Sequence, residues 1–343
     1  MPALPPPRAA YLHVPFCRHR CGYCNFTIIA GRDDLIDAYL DALERELSAL
    51  ETPRPVDTIF LGGGTPSHLD PPRLSRLLAL VRHWFPPAPG YEFSLEANPA
   101  DIDESRLAAA KAGGATRVSL GVQSFDPAKL TLLERDHTAA IVQRAVELVR
   151  EAGLALSLDL IFASPGETLD RWRRDLDQAI GLEPDHLSLY GLTFERGTAY
   201  WSRREKGELA GQDEETERAM YLEAIDRLAA AGFEQYEISN FARPGSRCRH
   251  NETYWAARGY YAAGPGAARY VAGVRETNHR STTTWLARIN AGESPVAESE
   301  QLGPEDRARE ALVLGLRRVV DGVDRQVFAT EFGYDIETLG GNE

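Results

Sequence analysis

The chain has 343 residues, 43% of them hydrophobic, enough to bury one large α/β domain or two smaller ones. Its formal net charge of −13 repels a phosphate backbone, and no basic patch offsets it, which argues against a nucleic-acid partner. The Pro-rich opening lacks the apolar centre of a secretory signal and no apolar run is long enough for a bilayer, so the cytoplasm is the expected address.

Short β-branched or alternating apolar runs at residues 11–14, 56–61, 91–95, 117–120, 154–161 and 186–190 read as strands. Helical patterns lie between them at 35–50, 72–84, 102–112, 139–152 and 169–180. Strand–helix alternation of this kind predicts a parallel sheet with crossover helices, either open or curled into a partial barrel. After residue 195 the pattern changes to a long helix (214–231), a strand (233–239), an aromatic and glycine-rich stretch through Tyr270, then helical segments. The expected organisation is a flexible start at 1–9, a core at 10–195, an extension at 196–295 and a small helical domain at 296–343. The last is expected to be incomplete, ending at Asn342-Glu343.

In either sheet geometry, ligands gather in the loops after the carboxyl ends of the strands. There stand Cys17, Cys21 and Cys24, then the Gly62-Gly63-Gly64-Thr65-Pro66 loop, Glu96-Ala97-Asn98-Pro99, Gly121-Val122-Gln123-Ser124, and Asp159 near the end of the fifth strand. Three of four cysteines within eight residues are unlike a disulfide framework and read as a metal site. Soft thiolates suit an iron–sulfur cluster with one open iron, or zinc completed by His13 or His19. A glycine loop, buried carboxylates and an arginine on the same rim favour the cluster, since structural zinc needs none of them.

The combination resembles the radical S-adenosylmethionine (SAM) superfamily from Tyr11 to about Tyr190. That resemblance implies a [4Fe-4S] cluster on Cys17, Cys21 and Cys24, with SAM chelating the fourth iron. It also implies that an electron from the cluster breaks the sulfonium bond to give a 5′-deoxyadenosyl radical. Finer motifs are similar to the family of oxygen-independent coproporphyrinogen III oxidase and its heme-chaperone relatives. They are Tyr-Leu-His-Val-Pro-Phe-Cys (11–17), Gly-Gly-Gly-Thr-Pro-Ser (62–67), Gly-Val-Gln-Ser-Phe (121–125), Leu-Glu-Arg-Asp-His (133–137), Asp-Leu-Ile-Phe (159–162) and Leu-Ser-Leu-Tyr-Gly-Leu (187–192). By position in these motifs, the implied SAM contacts are Tyr11, Tyr23, Gly63, Gly64, Thr65, Glu96, Gln123, Arg135, Asp159 and Ile161. The implied fold is a partial (β/α)6 barrel of α/β class with a small, mostly helical C-terminal extension.

Two features separate the branches. The oxidase has a fourth cysteine where this chain has Phe26, and the chaperone branch has a His-Asn-x-x-Tyr-Trp motif, here His250 to Trp255. Both point to a protein that binds heme and passes it to an acceptor, with an electron donor for the cluster and any membrane contact made through the acceptor. The oxidase reaction is the alternative, and a zinc-dependent RNA-associated protein is a poorer one. His250 is the expected heme contact, because imidazole is a common axial ligand, and Cys248 is a second candidate. One departure stands at Ala268, where the family's glycine motif often ends in histidine.

Overall fold

The structure is a computed structural model and describes residues 5–340. Six strands run parallel in chain order: β1 (Ala9–Val14), β2 (Val56–Gly63), β3 (Pro87–Ala97), β4 (Arg117–Gln123), β5 (Ala155–Phe162) and β6 (His186–Gly191). The crossovers carry helices α1 (Ile36–Ser48), α2 (Pro71–Trp84), α3 (Glu104–Ala112), α4 (Pro127–Leu132), α5 (Ala139–Glu151) and α6 (Leu169–Gly181). Each buries one stripe against the sheet. On α1 the stripe is Ile36, Tyr39, Leu40, Leu43 and Leu47, the i, i+3, i+4, i+7 spacing of an amphipathic helix. Side-chain oxygens of Asp70, Asp103, Asp126, Thr138 and Thr168 cap α2 to α6 by accepting first-turn amide hydrogens.

The strands alternate strictly. Leu12, Ile59, Leu61, Phe93, Leu95, Val118, Leu120, Leu156, Leu158, Leu187 and Leu189 face the helices as the hydrophobic core. The opposite face presents Tyr11, Phe60, Ser94, Glu96, Ser119, Ser157, Asp159, His186 and Ser188 to an interior cavity. The sheet is thus a curled layer with a polar concave side, not a flat sheet buried in oil on both faces.

Beyond α7 (Ala199–Glu205) and α8 (Glu214–Ala230), the short strands β7 (Glu234–Gln235) and β8 (Asn240–Ala242) extend one edge, β8 pairing antiparallel with β6 and β7 antiparallel with β8. A bend separates them where one strand is predicted at 233–239. After α9 (Arg249–Trp255), β9 (Tyr261–Ala263) joins β1 in parallel and extends the other edge, giving the order β9-β1-β2-β3-β4-β5-β6-β8-β7. The edges do not pair with each other, so the barrel is partial.

The boundary expected at 295/296 cuts through a unit. Strands β10 (Ala268–Val271), β11 (Val274–Asn278) and β12 (Val296–Gln301) form an antiparallel sheet. α10 (Thr282–Asn290) bridges its last two strands; α11 (Pro304–Gly315) and α12 (Arg325–Phe332) follow. The extension is therefore sheet plus helices. Of the segment expected to be flexible at 1–9, residues 1–4 lie outside the described residues. Arg8 pairs with Asp57 at 2.6 Å and Ala9 opens β1. Asn342-Glu343 also lies outside them.

Candidate functional site

At the carboxyl ends of the strands lies a cavity of about 500 Å³. Cys17, Cys21, Tyr23, Cys24, Gly63, Gly64, Thr65, Glu96, Gln123, Arg135, Asp159 and Ile161 all line it, so most of the expected site converges. Several backbone ties hold the cysteine loop in place. Phe16–Cys17 pairs with Ile29–Ala30, Tyr200 N donates to Gly22 O at 2.9 Å, and Cys24 N donates to Cys21 O at 3.0 Å. Cys17 Sγ lies 3.4 Å from Thr65 Oγ1, and Arg135 Nη1 lies 3.8 Å from Cys21 Sγ while its Nη2 donates to Gly121 O at 2.8 Å. Burial pushes the Cys17 thiol up to about 12 and raises Cys24, so loading a metal displaces thiol protons.

The glycine loop is glycine for packing reasons. A Cβ on Gly63, whose φ is +108°, would stand 2.3 Å from His13 Cε1; on Gly64 it would stand 2.7 Å from the carbonyl oxygens of Val14 and Phe16. Gly63 N donates to Glu96 Oε2 at 3.0 Å. Gln123 sits at φ 65° in the left-handed region, at a bulge that re-aims the end of β4 into the cavity.

Glu96 and Asp159 stand near each other, half-buried on the cavity wall. Burial and then the Asp159 charge raise Glu96 from 4.5 to about 8; burial raises Asp159 to about 6 against the hydrogen bonds of Ser188 and Ser119. A cation or amine entering between them would restore their ionised forms. The sign for stability follows. The unfolded chain ionises Glu96 near 4.5 while the folded chain holds the proton to about 8, so the unliganded protein loses stability as pH rises across that window. Glu96→Gln is expected to flatten this decline in urea midpoint against pH; an equally steep decline would remove Glu96 as its source.

Among the described residues no three His, Cys, Asp or Glu side chains gather tightly enough for a single metal ion. Of the histidines considered for zinc, His13 is engaged away from the thiols, whereas His19 lines the same cavity with Nε2 3.5 Å from Cys21 Sγ. His13 bonds Tyr11 OH at 2.9 Å and Thr27 O at 2.6 Å, and His19 Nε2 bonds Glu134 O at 2.6 Å. Three thiols on one cavity, with an arginine beside Cys21 and two carboxylates on the same lining, are a donor set that would suit a polynuclear cluster together with a small zwitterionic ligand. Phe26, 64% exposed, lines the same cavity.

Two expected site residues lie elsewhere. Tyr11 and His250 line a second, inner cavity of about 180 Å³ beneath the first, and Glu96, Ser119, Asp159 and Tyr190 form the wall common to both. His250 is 1% exposed, with Nδ1 3.0 Å from Thr58 Oγ1 and Nε2 2.8 Å from Tyr254 OH. Both ring nitrogens are thus occupied, and burial lowers the ring to about 3, so it is neutral. An axial role for His250 would require one of these two bonds to be given up. Cys248 is buried as well, 3.4 Å from Glu92. Sequence reasoning missed the polar interior itself, including Ser94, Arg117 and His186. Its signal was a polar residue at every second position of a parallel strand.

Fold and site together define a radical SAM core. The Radical SAM superfamily matches residues 11–179. The chain is 35% identical to the heme chaperone HemW of Bacillus subtilis (strain 168), over 97% of this chain and 89% of that protein. It is 41% identical to the HemW of Mycobacterium tuberculosis (strain CDC 1551 / Oshkosh), over 92% and 84%. A solved structure of the coproporphyrinogen III oxidase HemN from Escherichia coli superposes with TM-score 0.84 at 23% identity, covering 96% of this chain and 79% of that one. The chain belongs to the HemW family of radical SAM proteins.

Proposed function

We propose that the protein is a heme chaperone that binds heme and transfers it to an acceptor protein, and that it carries a [4Fe-4S] cluster on Cys17, Cys21 and Cys24 with exchangeable SAM. The observation that supports this best is the convergence of three thiols, an arginine and two half-buried carboxylates on one cavity, in a chain whose relatives are named heme chaperones. When bound, cluster and SAM supply one-electron chemistry.

The chain's own residues bind and orient. Glu96, already drawn to the glycine loop by Gly63 N, accepts hydrogen bonds from the SAM amino group. Arg135 balances negative charge beside Cys21 and pairs with the SAM carboxylate. Asp159 accepts from ribose hydroxyls, Tyr23 and Ile161 pack on the adenine, and Gly64, Thr65 and Gln123 complete the wall. Phe26 in place of a cysteine disfavours the oxidase reaction. No helix among the described residues is long and apolar enough to cross a membrane. We infer a cytoplasmic protein served by an external electron donor, touching a membrane only through its acceptor.

The test is anaerobic reconstitution followed by three measurements. SAM is expected to change the electron paramagnetic resonance spectrum of the reduced cluster. Arg135→Ala and Asp159→Ala should each weaken that response by roughly 1.5–3 kcal/mol, the worth of a charged hydrogen bond. Heme titration should give a Soret band, and coproporphyrinogen should not be decarboxylated. An unchanged spectrum at saturating SAM would sink the SAM reading, and turnover of coproporphyrinogen would transfer the protein to the oxidases.

A further inference from the structure

The His250 motif is built into the barrel and pinned there. Glu92 on β3 accepts from the amides of Arg249 at 3.1 Å and His250 at 3.2 Å, and Arg117 on β4 meets the same carboxylate at 3.4 Å. Arg117 also donates to the carbonyls of Ser246 and Arg247. Thus α9 enters the concave side of the sheet with a fixed register, and its His250 faces the strands.

From there a line of rings leads to the glycine loop. Tyr254 meets His250 edge-on at 5.1 Å, His250 stacks on Phe60 at 5.2 Å and 27°, and Phe60 leans on Tyr11 at 6.3 Å and 27°. Tyr11 is bonded to His13, whose ring lies against the α-carbon of Gly63. Phe60 also shares the face of Gly62 with Glu96: a Cβ there would meet Phe60 Cε1 and Glu96 Cδ at 2.9 Å each. The ladder therefore ends on two loop glycines and on the carboxylate that bonds Gly63.

We infer that His250 is a positioning residue of the SAM site, a rung of a ring ladder that sets the height of the glycine loop and the reach of Glu96. The inference rests on the reading of the outer cavity as the SAM site. Shape supports it over the heme-ligand alternative, because the chamber that His250 lines holds only about 180 Å³, far less than a tetrapyrrole needs. Neighbouring rings in the ladder touch one another, and packed contacts of this kind transmit displacements.

The test uses the full reconstituted chain and reads SAM affinity, heme binding and urea stability together. His250→Ala is expected to keep its iron, sulfide and Soret band but to weaken SAM binding roughly tenfold or more, the scale on which residues behind a ligand shell act. His250→Phe restores the ring without the two hydrogen bonds, so most of the SAM affinity should return while the urea midpoint stays low. A purely structural histidine would lower the midpoint in both variants and leave SAM affinity alone, which overturns the inference. Loss of the Soret band with intact SAM binding also overturns it, in favour of a heme ligand. If His250→Ala fails to fold, Phe60→Leu breaks the same ladder and carries the same expectations. Absence of any SAM response in the wild type removes the SAM reading itself, whereas a wild-type response undiminished in the variants removes the ladder alone.

Discussion

Alanine at Cys17, Cys21 or Cys24 is expected to erase the brown, oxygen-sensitive absorption of the anaerobically reconstituted protein, and Cys248→Ala to leave it intact. The first three thiols share one cavity wall on a loop tied to β1 and α7. A cubane held by three thiolates does not survive the loss of one when no other soft ligand stands near. Cys248 is buried on the far side of the shared wall, in contact with Glu92, and burial, then the Glu92 charge, raise its thiol strongly. It is a small, protonated core group there. Iron and sulfide analysis beside the absorption spectrum checks the expectation. Retained iron in any of the three variants, or lost iron in Cys248→Ala, would reassign the ligands.

Much of the architecture was legible because the barrel strands and their helices carry local signals. Strands such as β5 keep apolar residues on every second position, and helices such as α5 begin at a capping threonine and repeat apolar residues at helical spacing. The same strands held one further message. Strands covered on both faces read as near-continuous apolar runs, whereas here Ser94 and Glu96, Arg117 and Ser119, Ser157 and Asp159, His186 and Ser188 break every run at period two. A polar concave side, and so a curled sheet over a wet interior, follows from that alternation and decides between barrel and open sheet.

The extension was less legible for identifiable reasons. β9 is only Tyr-Ala-Ala and exists because β1 offers it a partner over two hundred residues away in sequence. The β10–β11 hairpin turns at Ala272-Gly273, both with positive φ, and alanine hides a turn that asparagine or aspartate would have announced. Its strands are charged, held by cross-strand pairs such as Arg269 with Glu276 and Arg275 with Glu300. His250 is hard to read because a histidine among aromatics has the same composition in a ligand site and in a stacked interior. Only the positions of Thr58 and Tyr254 separate the two.

The largest loss of stability is expected from Lys129→Met. Lys129 Nζ, 3% exposed, lies 2.5 Å from Glu167 Oε1 and 3.1 Å from Asp175 Oδ2, and stands over the Trp172 ring at 5.2 Å. Asp175 in turn accepts from Ser124 Oγ at 2.6 Å and Phe125 N at 2.8 Å, and Glu167 from Ser164 N at 3.0 Å. The triad therefore ties α4 and the loop after β4 to α6 and the loop after β5, the two loops that follow the strands carrying Gln123 and Asp159. Removing the cation leaves two carboxylates in a site that excludes water, a defect that costs about 3–5 kcal/mol when one member of a buried ion pair is deleted. The urea midpoint should fall accordingly with little change in slope, and SAM affinity should fall with it as the two loops loosen. Replacing all three charges together, Lys129→Met with Glu167→Gln and Asp175→Asn, should recover part of the stability, because the penalty comes from the unpaired charges. A single Lys129→Met variant as stable as the wild type would mean that the carboxylates take up protons at little cost and that the clamp is not electrostatic.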